Sequence, residues 1–115
     1  MTRPVLRGHP WGPENLTGGP IDDIFGQLRR LHRDLVVERM AANRPSDDDN
    51  VFWIGTASEF EIVQVDTWPG GRPPFYLEDD RGQMQTSDVA EAVAMIHGAL
   101  LGAAGTAELA AGPAL

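Results

Sequence analysis

His32 and His97, the run Asp47-Asp48-Asp49, the pair Glu59 and Glu61, and the serines Ser46, Ser58 and Ser87 are the side chains that could carry catalysis or hold a metal. Spacing tests each group. A zinc site takes three or four placed ligands. The two histidines are far apart in sequence, and no His-x-x-x-His or Glu-x-x-His spacing supplies a third ligand, so partly buried structural histidines are expected. A calcium loop alternates oxygen ligands and needs glycine at its sixth position. Counted from Asp47, the fifth position is Val51 and the sixth Phe52, which leaves a solvated turn. Glu59 and Glu61 would point to one side of a strand, a geometry open to acid–base work. Nothing nearby raises a carboxylate pKa, and solubilising an edge strand accounts for them as well. The serines lack a nucleophile elbow. With neither lysine nor cysteine in the chain, a Walker loop and thiolate chemistry are excluded. The expectation is no catalytic residue, no cofactor and no metal.

Contact chemistry is better represented. Between Val51 and Asp80 lie six of the eight aromatics: Phe52, Trp53, Phe60, Trp68, Phe75 and Tyr76. Trp68 and Tyr76 flank, and Arg72 lies within, the hairpin sequence Pro69-Gly70-Gly71-Arg72-Pro73-Pro74. Tryptophan, arginine and tyrosine dominate interface hot spots, and flanking prolines lower the ordering cost of binding. The partner-binding candidates are therefore Trp68, Arg72 and Tyr76 on the hairpin, Trp53 on a strand, and the acids Glu59 and Glu61. Trp11, within His9-Pro10-Trp11-Gly12, is expected to fold back into a groove of its own domain.

The elements that must position these residues follow from periodicity. A first helix is expected from Pro20 to about Ala42, because Ile21, Ile24, Leu28, Leu31 and Leu35 recur at helical spacing. Asp22 and Asp23 suit its first turn and Arg39 its last, and Pro45 stops it. Strands are expected at Val51–Thr56, Glu59–Trp68 and Phe75–Glu78, with a possible fourth at Gln83–Thr86. In the second strand the alternation breaks, since Val63 and Val65 fall on the side of Glu59 and Glu61. Either a bulge shifts the phase or the far half is covered on both sides, and in the second case Val51, Trp53, Val63 and Val65 need cover on a face other than that of Phe52 and Ile54. A second helix, apolar nearly all round, starts at Asp88 or Ser87 and runs to Gly102. The fold class is α+β, two-layer: helix, three or four antiparallel strands, helix. Residues 1–19 form an irregular arm, 20–102 the single domain, and 103–115 a flexible Ala/Gly-rich tail.

The chain has 115 residues and a net charge of −8, and all nine of its basic residues are arginine. Residues 1–44 carry seven arginines against five acids, whereas residues 45–86 carry nine acids against Arg72 and Arg81. An acidic second half opposes binding to a phosphate backbone, and its strands pair aromatics with acids where an RNA platform would pair them with bases. No apolar run reaches the roughly 20 residues a membrane helix needs, and no secretory signal is visible, so a cytoplasmic protein is expected. The functional expectation is a small acidic, non-enzymatic module (inhibitor, immunity/antitoxin-like or chaperone-like) that recognises a basic protein. One alternative is a ligand-binding or enzymatic domain with a helix–sheet pocket lined by Trp53, His32 and His97. The other is a structural subunit of a homo-oligomer, since the apolar surplus also predicts self-association through the sheet or the second helix.

Overall fold

The computed structural model describes residues 8–40 and 50–111, with side chains through residue 102. The Asp47-Asp48-Asp49 turn and Pro45 lie outside the described residues. One antiparallel sheet holds six strands in chain order: β1 (Gly8–Pro10), β2 (Leu35–Met40), β3 (Val51–Thr56), β4 (Val63–Trp68), β5 (Arg72–Asp79) and β6 (Gly82–Thr86). Helix α1 (Ile21–Leu31) lies between β1 and β2, and α2 (Val89–Ala111) follows β6. Both helices pack on one face, so the class is α+β, with more strands than expected.

The additional strands come from the end of the expected first helix and from the arm. α1 stops at Leu31, where His32 is extended and its N–H closes on Leu28 O at 2.8 Å. Arg33 and Asp34 turn the chain, and Leu35 begins β2. Leu35-Val36-Val37 favours a strand because β-branched side chains lose rotamer freedom in a helix and pack well on a pleat. The helical spacing was coincidental beyond Leu28, as Leu31 is 53% exposed. Once in β2, Val37 pairs with Ile54 and Arg39 with Phe52, while Gly8 to Pro10 of the arm pair with Met40 to Glu38. Arg39 thus ends no helix. Its guanidinium lies 4.8 Å from the Trp11 ring and 5.3 Å from that of Phe52, a cation–π stack. Trp11 folds back as expected: its N–H donates to Val37 O at 2.8 Å, its ring meets Phe52 edge-on, and Arg29 donates to its carbonyl.

Register assigns the two faces of the sheet. Phe52 lies opposite Val65, Val65 opposite Leu77, and Leu77 opposite Met84, and Ile54 lies opposite Val63. These side chains meet Ile21, Ile24, Phe25 and Leu28 of α1 and Ala92, Val93, Ile96 and Leu100 of α2 in one core. Val63 and Val65 therefore share a face with Phe52 and Ile54, so of the two alternatives the shift of phase holds and these valines need no cover on the second face. The second strand begins at Val63, not Glu59. Glu61 has φ 71°, a left-handed conformation that turns the chain and resets the alternation. Glu59 and Glu61 thus belong to the loop between β3 and β4 and are not paired on one side of a strand. That loop lies against Gly55, where a Cβ would come within 2.7 Å of Glu59 O.

The hairpin joining β4 and β5 is fastened to the start of α1. Ile21 N–H donates to Gly71 O at 3.0 Å. Gly71 has φ 68°, and a Cβ there would overlap Ile21 Cγ2 and Thr17 Oγ1. On the other side, Asp22 accepts from Thr17 N, Thr17 Oγ1 and Gly18 N, each at 2.9 Å, so the segment entering α1 is clasped as well. At α2 the cap is Asp88, whose Oδ1 accepts from Ala90 N at 3.1 Å.

Candidate protein-binding face

The face of the sheet turned away from the helices carries the alternate residues of the same strands. Across it run two rows fixed by register: Trp53, Gln64, Glu78 and Gln83, and beside them Val51, Asp66, Tyr76 and Gln85. The face divides in two. Over β2 and β3 it is closed, with Glu38 at 0%, Trp53 at 6% and Val51 at 6% exposure. Over β4, β5 and β6 it opens into a concavity of about 500 Å³ lined by Gln64, Asp66, Tyr76, Glu78, Gln83 and Gln85.

Hydrogen bonds order this trough. Trp53 Nε1 donates to Gln64 Oε1 at 3.2 Å, and Gln64 Nε2 donates to Asp66 Oδ1 at 3.0 Å. Gln83 Nε2 donates to Glu78 Oε2. Each carboxylate is thus oriented by a neighbouring amide and lined up with its strand. Asp66 and Glu78 are diagonal neighbours on adjacent strands, roughly 7–8 Å apart by sheet geometry. That spacing suits two cationic groups, or one cation and a backbone, better than a single shared proton. No arginine is among the residues lining the trough. Arg81 lies against Gly102 of α2, and Arg72 Nε donates to Pro69 O at 2.9 Å at the hairpin tip. Both cations are held at the margins.

The structure brings together three of the expected contact residues and separates the others. Trp68 lies opposite Arg72 at the end of β4, and Tyr76 lies in the trough opposite Asp66. Trp68 is 55% and Tyr76 44% exposed, so both present large apolar area to a partner. Trp53 is buried, and its role is to hold Gln64. Glu59 and Glu61 precede Val63 and so sit at the opposite end of β4 from Trp68. Gln64, Asp66, Glu78, Gln83 and Gln85 were missed. Their signal was the simple alternation Val63-Gln64-Val65-Asp66-Thr67, legible only once the strand starts at Val63.

His32 and His97 do meet, at the joint between the helices, where His32 Nε2 lies 2.8 Å from His97 Nδ1. Burial holds the His32 pKa below its ordinary value, with His97 lowering it further and Asp34 opposing. Trp53 lies on the other face of the sheet, so a pocket lined by all three is not formed. Among the described residues no group of three or more His, Asp or Glu side chains could hold a metal ion. Nor is any described helix long and apolar enough to cross a membrane. No protein-family model, no curated protein and no solved structure matches this chain.

Proposed function

We propose that this protein is a small acidic, non-enzymatic binding module that captures a more basic protein on the open half of its outer sheet face, as an inhibitor, antitoxin, immunity protein or chaperone would. The observation that carries the reading is the trough itself. Asp66 and Glu78 stand among amides without a lining cation, Tyr76 is exposed beside them, and Trp68 is exposed at the hairpin beyond an irregularity in the β4–β5 register. Carboxylates held by neighbouring amides are pre-oriented acceptors for arginine or lysine. The aromatics supply the apolar contact from which hot spots are made. The net charge of −8 adds long-range attraction for a basic partner and speeds encounter. Because the hairpin tip is clasped to α1, Trp68 and Arg72 are presented with little freedom left to lose.

The test compares capture from a lysate of the source cells by the wild-type chain and by Asp66→Arg/Glu78→Arg, two exposed or half-exposed positions whose change leaves the core intact. A basic protein retained by the first and lost by the second supports the reading. A partner retained equally by both contradicts it.

A further inference from the structure

β6 ends the sheet, and among the described residues no strand pairs with its outer edge. Natural sheets protect such edges with charge, proline, a bulge or very short length, because unpaired N–H and C=O groups template another strand. β6 has none of these devices. Its five residues, Gly82-Gln83-Met84-Gln85-Thr86, include no charge and no proline. Its register with β5 runs unbroken from Phe75↔Thr86 to Asp79↔Gly82. Among the described residues the opposite edge strand, β1, carries a proline at Pro10, which offers no N–H.

The edge also borders the trough. Gln83 and Gln85 are its outermost lining residues, and Glu78 and Tyr76 stand next to them on β5. A strand added beyond β6 would lie about 9–10 Å from β5, two strand spacings away. Its alternate side chains would emerge over Gln83 and Gln85, within reach of Glu78 if they are long cations. The side chains between them would fall beside Met84, which packs against the core from the inner face.

We propose that the basic partner is recognised by strand addition. A short extended segment with alternating basic and β-branched residues pairs with β6 as a seventh strand, its cations over the acid–amide trough. The inference rests on the proposed function and adds the mode of recognition. Main-chain bonds to an open edge supply affinity, and alternate side chains supply selectivity. Charge chooses the occupant: a second copy would bring its own −8 and a matching acidic trough, whereas a cationic strand complements both.

The probe is an acetylated hexapeptide of alternating arginine and valine, compared with its fully N-methylated form, which keeps the side chains and charge but has no N–H to join a ladder. Binding is followed by titration calorimetry and by amide hydrogen exchange across β6. The parent peptide should bind about tenfold or more tightly than the methylated one, reflecting the lost ladder bonds, and should slow exchange at alternate residues of Gly82–Thr86. Asp66→Arg/Glu78→Arg should weaken both peptides. Equal binding of the two forms with β6 exchange unchanged overturns strand addition while the acidic trough stands. Binding of neither at low ionic strength overturns the trough as well. A chain already doubled in mass, with β6 protected before any peptide is added, would assign the edge to a second copy and refute the proposal.

Discussion

β4 and β5 carry two surfaces in alternate residues of the same backbone. Toward the helices stand Val63, Val65, Phe75 and Leu77, none more than 1% exposed. Away from the helices stand Gln64, Asp66, Tyr76 and Glu78, exposed or half-exposed, with Gln64 donating to Asp66 and Gln83 to Glu78. A one-residue change of position along the strand therefore moves from a side chain that holds the fold to one that can recognise a partner. Stability and binding should separate cleanly by parity, and that separation can be attacked from either side.

The largest effect is expected on the inner face. Phe52 is 0% exposed and meets both Phe25 (ring centroids 5.0 Å apart) and Trp11 (5.8 Å). Phe52→Ala should cost about 3–5 kcal/mol in urea unfolding, from lost transfer energy plus the cavity left behind. A cost near zero would mean that this face does not hold the fold.

Next is the clasp that joins the two surfaces. Gly71→Ala places a Cβ at φ 68° against Ile21 and Thr17. A loss of about 2–4 kcal/mol is expected from left-handed strain and overpacking together. Because the hairpin tip would shift, partner affinity should fall too, so this variant ought to break the separation by parity. Intact affinity would show that Trp68 and Arg72 need no clasp.

The outer face should give the reverse signature. Trp68→Ala and Tyr76→Ala should each change stability by no more than about 0.5 kcal/mol, as exposed substitutions do. Each should weaken partner binding by about 2 kcal/mol, roughly thirtyfold, if these are hot spots. Titration calorimetry beside urea unfolding reads both quantities on the same variant.

The smallest effect is that of pH at the helix joint. The folded state holds the His32 pKa below its ordinary value, so folding favours the neutral ring. The contribution of His32 to stability is complete above the ordinary histidine value of about 6.5 and is lost as pH falls through the lower folded value. The melting temperature should decline modestly on acidification, and His32→Gln should flatten that part of the profile. Partner binding on the far side of the sheet should keep its own, independent pH dependence.

How far the sequence revealed this arrangement can be judged from particular residues. The core stripe of α1, the cap at Asp88 and the return of Trp11 were legible because each depends on local spacing or on one conspicuous side chain. The strand β2 was not, because Leu31 and Leu35 lie at helical spacing by chance and β pairing with β1 and β3 is a nonlocal gain. The trough was hidden by a single local event. Glu61 turns the chain at positive φ and shifts the phase of β4 by its position. Reading the strand from Glu59 left open whether the phase shifts or Val63 and Val65 lie on the second face, and it made Glu59 and Glu61 look like the acidic pair of interest. The acids that share a surface are Asp66 and Glu78, joined across strands by a register that no single segment contains.

Hydroxyl-radical footprinting of the chain, alone and bound to its captured partner, distinguishes the outer sheet face from the helical side as the binding surface. Tyr76 at 44% exposure reports the outer face and Trp68 at 55% the hairpin next to it, and Leu31 and Leu101 report the helical side at 53% and 54%. The partner should protect Trp68 and Tyr76 from oxidation and leave Leu31 and Leu101 unchanged. Protection of Leu31 and Leu101, with Trp68 and Tyr76 still oxidised, would contradict it.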